Sequence, residues 1–124
     1  MNNKKYTFQE LIEITRKVIK EFDKAEQRPW GIEAIIIELV KQIGDLTKHI
    51  MMFEKYYLKR RENEPYYKTT KEDIADELAD ILYCLIRVAE HYGIDLEEAH
   101  LKTRRSELKS LGKNQIFNSP RPAF

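Results

Sequence analysis

The sequence predicts an all-α protein, and three observations carry that expectation. Apolar residues recur at three- and four-residue spacing through four stretches. Each stretch opens on a helix-start signal and closes at a Pro, a Gly or a charged break. No stretch reads as a strand and no internal repeat is visible. A chain of 124 residues with 42% hydrophobic content is sufficient for one domain with its own core and gives no reason to expect two.

The first helix starts at Thr7, because Thr7 and Glu10 in "TFQE" form a capping box that satisfies two orphan amides. It runs to about Lys24 with Phe8, Leu11, Ile12, Val18, Ile19 and Phe22 at helical spacing. "QRPWG" interrupts it, since Pro29 disfavours helix at Arg28. The second helix spans Gly31 to about Tyr57, with Ile32, Ile35, Ile36, Leu39, Ile43, Leu46, Ile50 and Phe53 in one stripe. The charged segment 59–68, "KRRENEPYYK", reads as a loop because it holds Pro65. A third helix opens at Thr69 or Thr70, paired with Glu72 or Asp73, and ends at Gly93, which accepts the left-handed cap conformation. Asp95 with Glu98 starts a fourth helix that ends near Gly112. The helical domain is thus 1–112, and the Pro-, Asn- and Ser-rich residues 113–124 form an extended tail.

Charge and cysteine content exclude several classes. With 22 Lys plus Arg against 21 Asp plus Glu, the formal charge is +1, and no whole-chain field attracts nucleic acid or an anionic membrane. The "KRRE" and "TRR" clusters are short, offset by acids and lack interleaved aromatics, which argues against nucleic-acid binding. One cysteine, Cys84, excludes an internal disulfide and a multi-cysteine zinc site. No signal peptide is visible, and no apolar run approaches the roughly 20 residues needed to span a bilayer. A cytoplasmic location without membrane contact is therefore expected.

The informative residues are acids placed among apolar ones. In "IADELADIL", residues 74–82, Asp76, Glu77 and Asp80 interrupt an otherwise apolar segment. A helical wheel centres the apolar face on Ile74, Leu78, Ile81, Leu85, Val88 and Tyr92, with Glu77 inside the arc and Asp80 at its border. Desolvation penalises a carboxylate there unless a cation or donors compensate it. In the second helix Glu38, Gln42, Asp45 and His49 border the apolar stripe at intervals of four, three and four. Antiparallel packing of the two helices would bring these oxygens together as a site for a hard divalent cation such as Mg²⁺. The same spacing also suits solvated acids paired with lysine, Asp45 with Lys41 or Lys48 for example.

"DELADILYCLIRVAEHYGIDLEEA", residues 76–99, resembles the second half of the MazG-like all-α nucleotide pyrophosphohydrolase superfamily, which carries Glu-x-x-Asp, an apolar helix and a Gly-Ile-Asp turn. "WGIEAIIIELVKQIGDL", residues 30–46, resembles the segment preceding it, and the resemblance covers roughly residues 7 to 110. It implies a four-helix MazG-like bundle completed by homo-oligomerisation, as a homodimer or homotetramer. It also implies Mg²⁺, or Mn²⁺ in its place, and hydrolysis of a nucleoside triphosphate to monophosphate and pyrophosphate, in some members as house-cleaning of non-standard nucleotides. Carried over, Glu77 and Asp80 bind the metal and Asp45 completes its shell, with Glu38, one turn upstream on the same edge and outside the family pattern, placed to support it. Gln42 and Asp45 act on the attacking water, while Lys102, Arg105 and Lys109 face the phosphates. The chain departs from the pattern where Lys41 and Gln42 replace expected acids, where Asp45 shortens a third, and where Ser106 replaces an expected Asn.

Those departures keep a second reading open: a weakened relative that binds nucleotide or a protein without hydrolysis. A plain helical dimerisation module is a third. Glu38 reads either as a compensating ligand or as a surface acid, and Lys102, Arg105 and Lys109 either as a phosphate edge or as a basic helix end. Trp30 and Tyr83 suit stacking on a base or ordinary packing. His49 reads as an acid or base behind the ligands or as a border residue, and Cys84 as a small core residue.

Overall fold

The computed structural model describes residues 5–118, and among these the chain forms four α-helices and no strand. They are α1 (Phe8–Ala25), α2 (Ile32–Phe53), α3 (Lys71–Tyr92) and α4 (Leu96–Ser110). None of them is long and apolar enough to cross a membrane. Residues 119–124 of the expected tail lie outside the described residues.

The capping signals act as the sequence predicts. Thr7 and Glu10 close a reciprocal capping box on α1. For α3 the cap is Thr70, paired with Asp73, and Thr69 stands one residue outside. Asp95 caps α4 by accepting the Glu98 amide at 3.0 Å. Gly93 ends α3 at φ +65°, where its amide donates to the carbonyls of Ala89 and Glu90.

Three boundaries differ from expectation. α2 stops at Phe53 because Lys55 turns left-handed, φ +58°, which ends helical bonding before Tyr57. Segment 59–68 holds two 3-10 turns, Lys59–Arg61 and Pro65–Tyr67, and Pro65 suits the first position of the second. Aromatic contacts fasten this segment: Tyr67 stands edge-on to Tyr57 at 5.2 Å, and the Lys48 ammonium lies 3.2 Å from the Tyr66 ring centroid. Residues Asn114–Asn118 are a 3-10 helix rather than extended, with Phe117 beneath the Arg105 guanidinium at 4.9 Å.

α2 and α3 pack antiparallel: His49 near the end of α2 meets Glu77 early in α3, and Ile35 near the start of α2 shares a cavity wall with Cys84 and Arg87. The buried residues are Ile12 of α1, Ile35 and Met52 of α2, and Cys84, Ile86, Arg87 and Ala89 of α3. The inward face of α3 is therefore turned from the expected centre. Leu78, Leu85 and Tyr92 remain 53%, 43% and 60% exposed, because α2 packs on the Glu77–Cys84 side and Ile12 of α1 shares a crevice with Ile86 and Ala89. On α2, Ile36, Ile37, Val40 and Ile43 are likewise exposed.

Candidate active site

The seam between α2 and α3 gathers most of the expected polar residues. Glu38, Gln42, Asp45 and His49 are all half-buried along α2, as their spacing on one helix edge requires. Across the seam stands Glu77, whose side chain is 16% exposed, while Asp80 one turn on is exposed and Asp76 faces solvent. Gln42 Nε2 donates to Glu38 Oε1 at 2.9 Å. His49 Nε2 lies 3.8 Å from Glu77 Oε1, and His49 Nδ1 lies 2.8 Å from the Thr69 hydroxyl.

The electrostatics of the seam are uneven. Burial pushes the Glu77 carboxyl above its ordinary range, Asp45 and Asp80 push it further, and His49 and Lys41 oppose the shift. Glu77 Oε2 is buried without a hydrogen-bond partner. On the α2 side, Lys41 Nζ approaches Asp45 at 3.5 Å and Glu38 at 3.8 Å, and these carboxylates raise its pKa. Lys41 thus satisfies part of the expected ligand set from within.

A cavity of about 430 Å³ opens beside these residues. Glu38, Gln42 and Asp80 line it together with Val18, Phe22 and Ile35, and with Trp30, Tyr83, Cys84 and Arg87. Phe22 and Tyr83 meet edge-to-face at 6.1 Å. Cys84 agrees with its reading as a small core residue, since it is buried and burial pushes its thiol up, away from reactivity.

Arg87 was not singled out by the sequence reasoning. It is 6% exposed, bonded through one terminal nitrogen to Asp23 at 2.9 Å and Glu26 at 3.2 Å, and its guanidinium lies 4.8 Å from the Trp30 ring centroid. A signal existed: Arg87 is the one charged residue between Asp80 and Glu90, and a lone cation in an apolar run calls for buried partners.

The basic residues of α4 are not brought to this cavity. None of Lys102, Arg105 and Lys109 lines it, and Arg105 instead pairs with Glu98 at 3.4 Å and covers Phe117. The reason is the position of α4, which buries no residue and leaves the α2–α3 seam to its neighbours.

The four expected metal ligands are also less converged than their helical spacing suggested. Among the described residues no three Asp, Glu, His or Cys side chains form a cluster able to hold a metal. The donors nevertheless fit Mg²⁺ or a similar cation, which binds through one or two carboxylates and takes its other ligands from water and phosphate. The buried, unpartnered Glu77 Oε2 is the atom that such an ion would satisfy.

The family description phosphoribosyl-ATP pyrophosphohydrolase matches residues 4–106. This chain belongs to that family. The phosphoribosyl-ATP pyrophosphohydrolase family lies within the MazG-like all-α pyrophosphohydrolase superfamily, so the resemblance seen around Glu77 and Asp80 holds at that broader level. Its activity is hydrolysis of an acid anhydride. No curated protein and no solved structure matches the chain.

The raised Glu77 carboxyl has a consequence for stability. From the ordinary carboxylate range up to its raised value, the folded state retains a proton that the unfolded state releases, so its contribution to stability falls as pH rises. Above that window the ionised group carries the full cost. Glu77→Gln is therefore expected to melt a few degrees higher than wild type at pH 7 in chelator, and the difference should vanish below the ordinary carboxylate range. Equal melting temperatures at both pH values would contradict this.

Proposed function

We propose that this protein is a Mg²⁺- or Mn²⁺-dependent nucleotide pyrophosphohydrolase acting in the cytoplasm. The observation that carries the reading is Glu77, a half-buried carboxylate with an unpartnered oxygen, one turn from Asp80, which lines a cavity with aromatic walls. Phosphoribosyl-ATP is the substrate that the family's name designates, and a nucleoside triphosphate, including a non-standard one cleared by house-cleaning, is the broader class.

In this reading Glu77 and Asp80 hold the cation, with Asp45 and Glu38 supporting them. The bound cation supplies positive charge that offsets the phosphates and makes a water easier to deprotonate. Gln42 spends its amide nitrogen on Glu38, which leaves its carbonyl oxygen to orient the water, and Asp45 accepts the proton. An oxygen–phosphorus bond forms at the α-phosphorus, and the bond to the α–β bridging oxygen breaks and releases pyrophosphate. Trp30, Tyr83 and Arg87 line the space suited to a base, where a stacked ring contributes about 1–3 kcal/mol. Lys102, Arg105 and Lys109 would reach phosphate only in an assembly that brings α4 to the cavity.

A homodimer or homotetramer is part of the proposal, supported by the exposed Leu78, Leu85 and Tyr92 of α3 and Ile37 and Val40 of α2. Sedimentation should give at least a dimer, and Leu85→Glu should shift it to monomer with helix content retained; a monomeric wild type would remove this part.

The test of activity is pyrophosphate release from phosphoribosyl-ATP and from a panel of canonical and modified triphosphates, with Mg²⁺, Mn²⁺ or chelator. Metal-dependent release is expected, reduced at least about 100-fold in Glu77→Gln and Asp80→Asn. Release that persists in both variants would sink the site assignment.

A binding module without hydrolysis is the second reading, favoured by Lys41, which already neutralises part of Glu38 and Asp45. It expects nucleotide binding with no pyrophosphate released. Lys41→Gln should tighten Mn²⁺ binding several-fold in either case, and unchanged affinity would show that the ammonium does not compete.

A further inference from the structure

The cavity beside the α2–α3 seam has two chemically different ends. Asp80, Glu38 and Gln42 stand at one of them. Arg87 lies seven residues beyond Asp80 on α3, which is two helical turns or about 10 Å along the axis. Trp30, just before α2, belongs to that far end, because α2 and α3 run antiparallel and the Arg87 guanidinium lies 4.8 Å from its ring centroid. Phe22 and Tyr83, edge-to-face at 6.1 Å, add aromatic walls. A flat ring suits such walls, and its edge is then read by whatever polar group stands among them.

That group is Glu26, which the proposed mechanism does not use. It lines the cavity with a side chain only 14% exposed. Its backbone is fixed as the cap of α1, where its amide donates to the Phe22 carbonyl at 2.8 Å. Among the described residues its carboxylate accepts one side-chain hydrogen bond, from Arg87 to Oε1 at 3.2 Å. A carboxylate has about four acceptor sites and no hydrogen to give, so Glu26 keeps unused capacity for N–H donors. Arg87, held also by Asp23 at 2.9 Å, anchors Glu26 in place.

We propose that Glu26 is a specificity-determining residue that accepts a hydrogen bond from the exocyclic amino group of the nucleobase. The protein thereby selects adenine, cytosine or guanine nucleotides over their deaminated counterparts. Deamination exchanges the amino donor for a carbonyl oxygen, which sets lone pairs against the carboxylate. The inference rests on the pyrophosphohydrolase reading above and goes further by naming the edge of the base that is recognised. Arg87 does not touch the base; it is a positioning residue that holds Glu26 and Trp30.

The experiment is calorimetric binding of non-hydrolysable α,β-methylene triphosphates to the full-length protein with Mn²⁺, comparing adenosine with inosine and cytidine with uridine. Pyrophosphate release from the natural triphosphates is measured in parallel. The amino-bearing member is expected to bind at least about 10-fold tighter. Glu26→Gln, whose amide donates as well as accepts, should bring the ratio near one by improving the deaminated member. Glu26→Ala should level it by weakening the amino-bearing one. Damage to the fold alone would weaken both members alike and leave the ratio in place. No preference for the amino-bearing member in either pair, or a preference that survives both variants, would overturn the assignment while the hydrolase reading stands on its own release data. Absence of both nucleotide binding and pyrophosphate release would remove that reading and this inference with it.

Discussion

Antiparallel packing of α2 on α3 is the contact on which the rest of the molecule depends, because it performs two tasks at once. It buries Ile35, Met52 and Cys84, the apolar part of the core shared by these helices. Along the same seam it places Glu38, Gln42, Asp45 and His49 opposite Glu77 and Asp80. A carboxylate buried in such a seam opposes packing, so Glu77 is a local cost that the apolar contacts around it outweigh. Under the proposed reading, function and stability compete at this one residue, as where a protein keeps a charged group ready for a ligand.

The elements themselves were legible in the sequence because their causes are local. Thr7 with Glu10, Thr70 with Asp73, and Gly93 each fix a helix end through bonds within a few residues. Facing was less legible. The apolar arc of α3 is wide enough to take two centres, and helical spacing cannot tell Leu78, Leu85 and Tyr92 from Ile81 and Cys84 when a second surface is available to the outer set. The turns at 59–68 escaped for a related reason, since Tyr57, Tyr66 and Tyr67 hold that segment by ring contacts that no local pattern announces.

Of the candidate site, the α2 and α3 residues were legible because i, i+3 and i+4 spacing sets which side chains share an edge. The α4 residues were not, because Lys102, Arg105 and Lys109 share a face whose direction depends on the docking of a helix that buries none of its residues. The polar chain through Thr69 could not be read either. It joins the last residue before a helix cap to a histidine twenty positions earlier, and only the path of the intervening turns brings them together.

Arg87 links α1 to this seam in a different way from the packing that joins α2 and α3. Of the described residues of α1 only Ile12 is buried, while Asp23 near its end and Glu26 just beyond it grip Arg87, and Arg16 grips Glu90 at 2.8 Å. The α1 side of the cavity is thus held by ionic contacts as well as by the Phe22–Tyr83 ring contact, and the α2 side by apolar packing. Salt weakens the first kind of contact where it is exposed, as at Asp23, and barely touches the second. The attachment of α1 thus answers to salt at Asp23, while the Glu26–Arg87 pair, whose side chains are 14% and 7% exposed, is shielded from it. These ionic contacts lie apart from the carboxylates of the α2–α3 seam, so a change in one need not disturb the other.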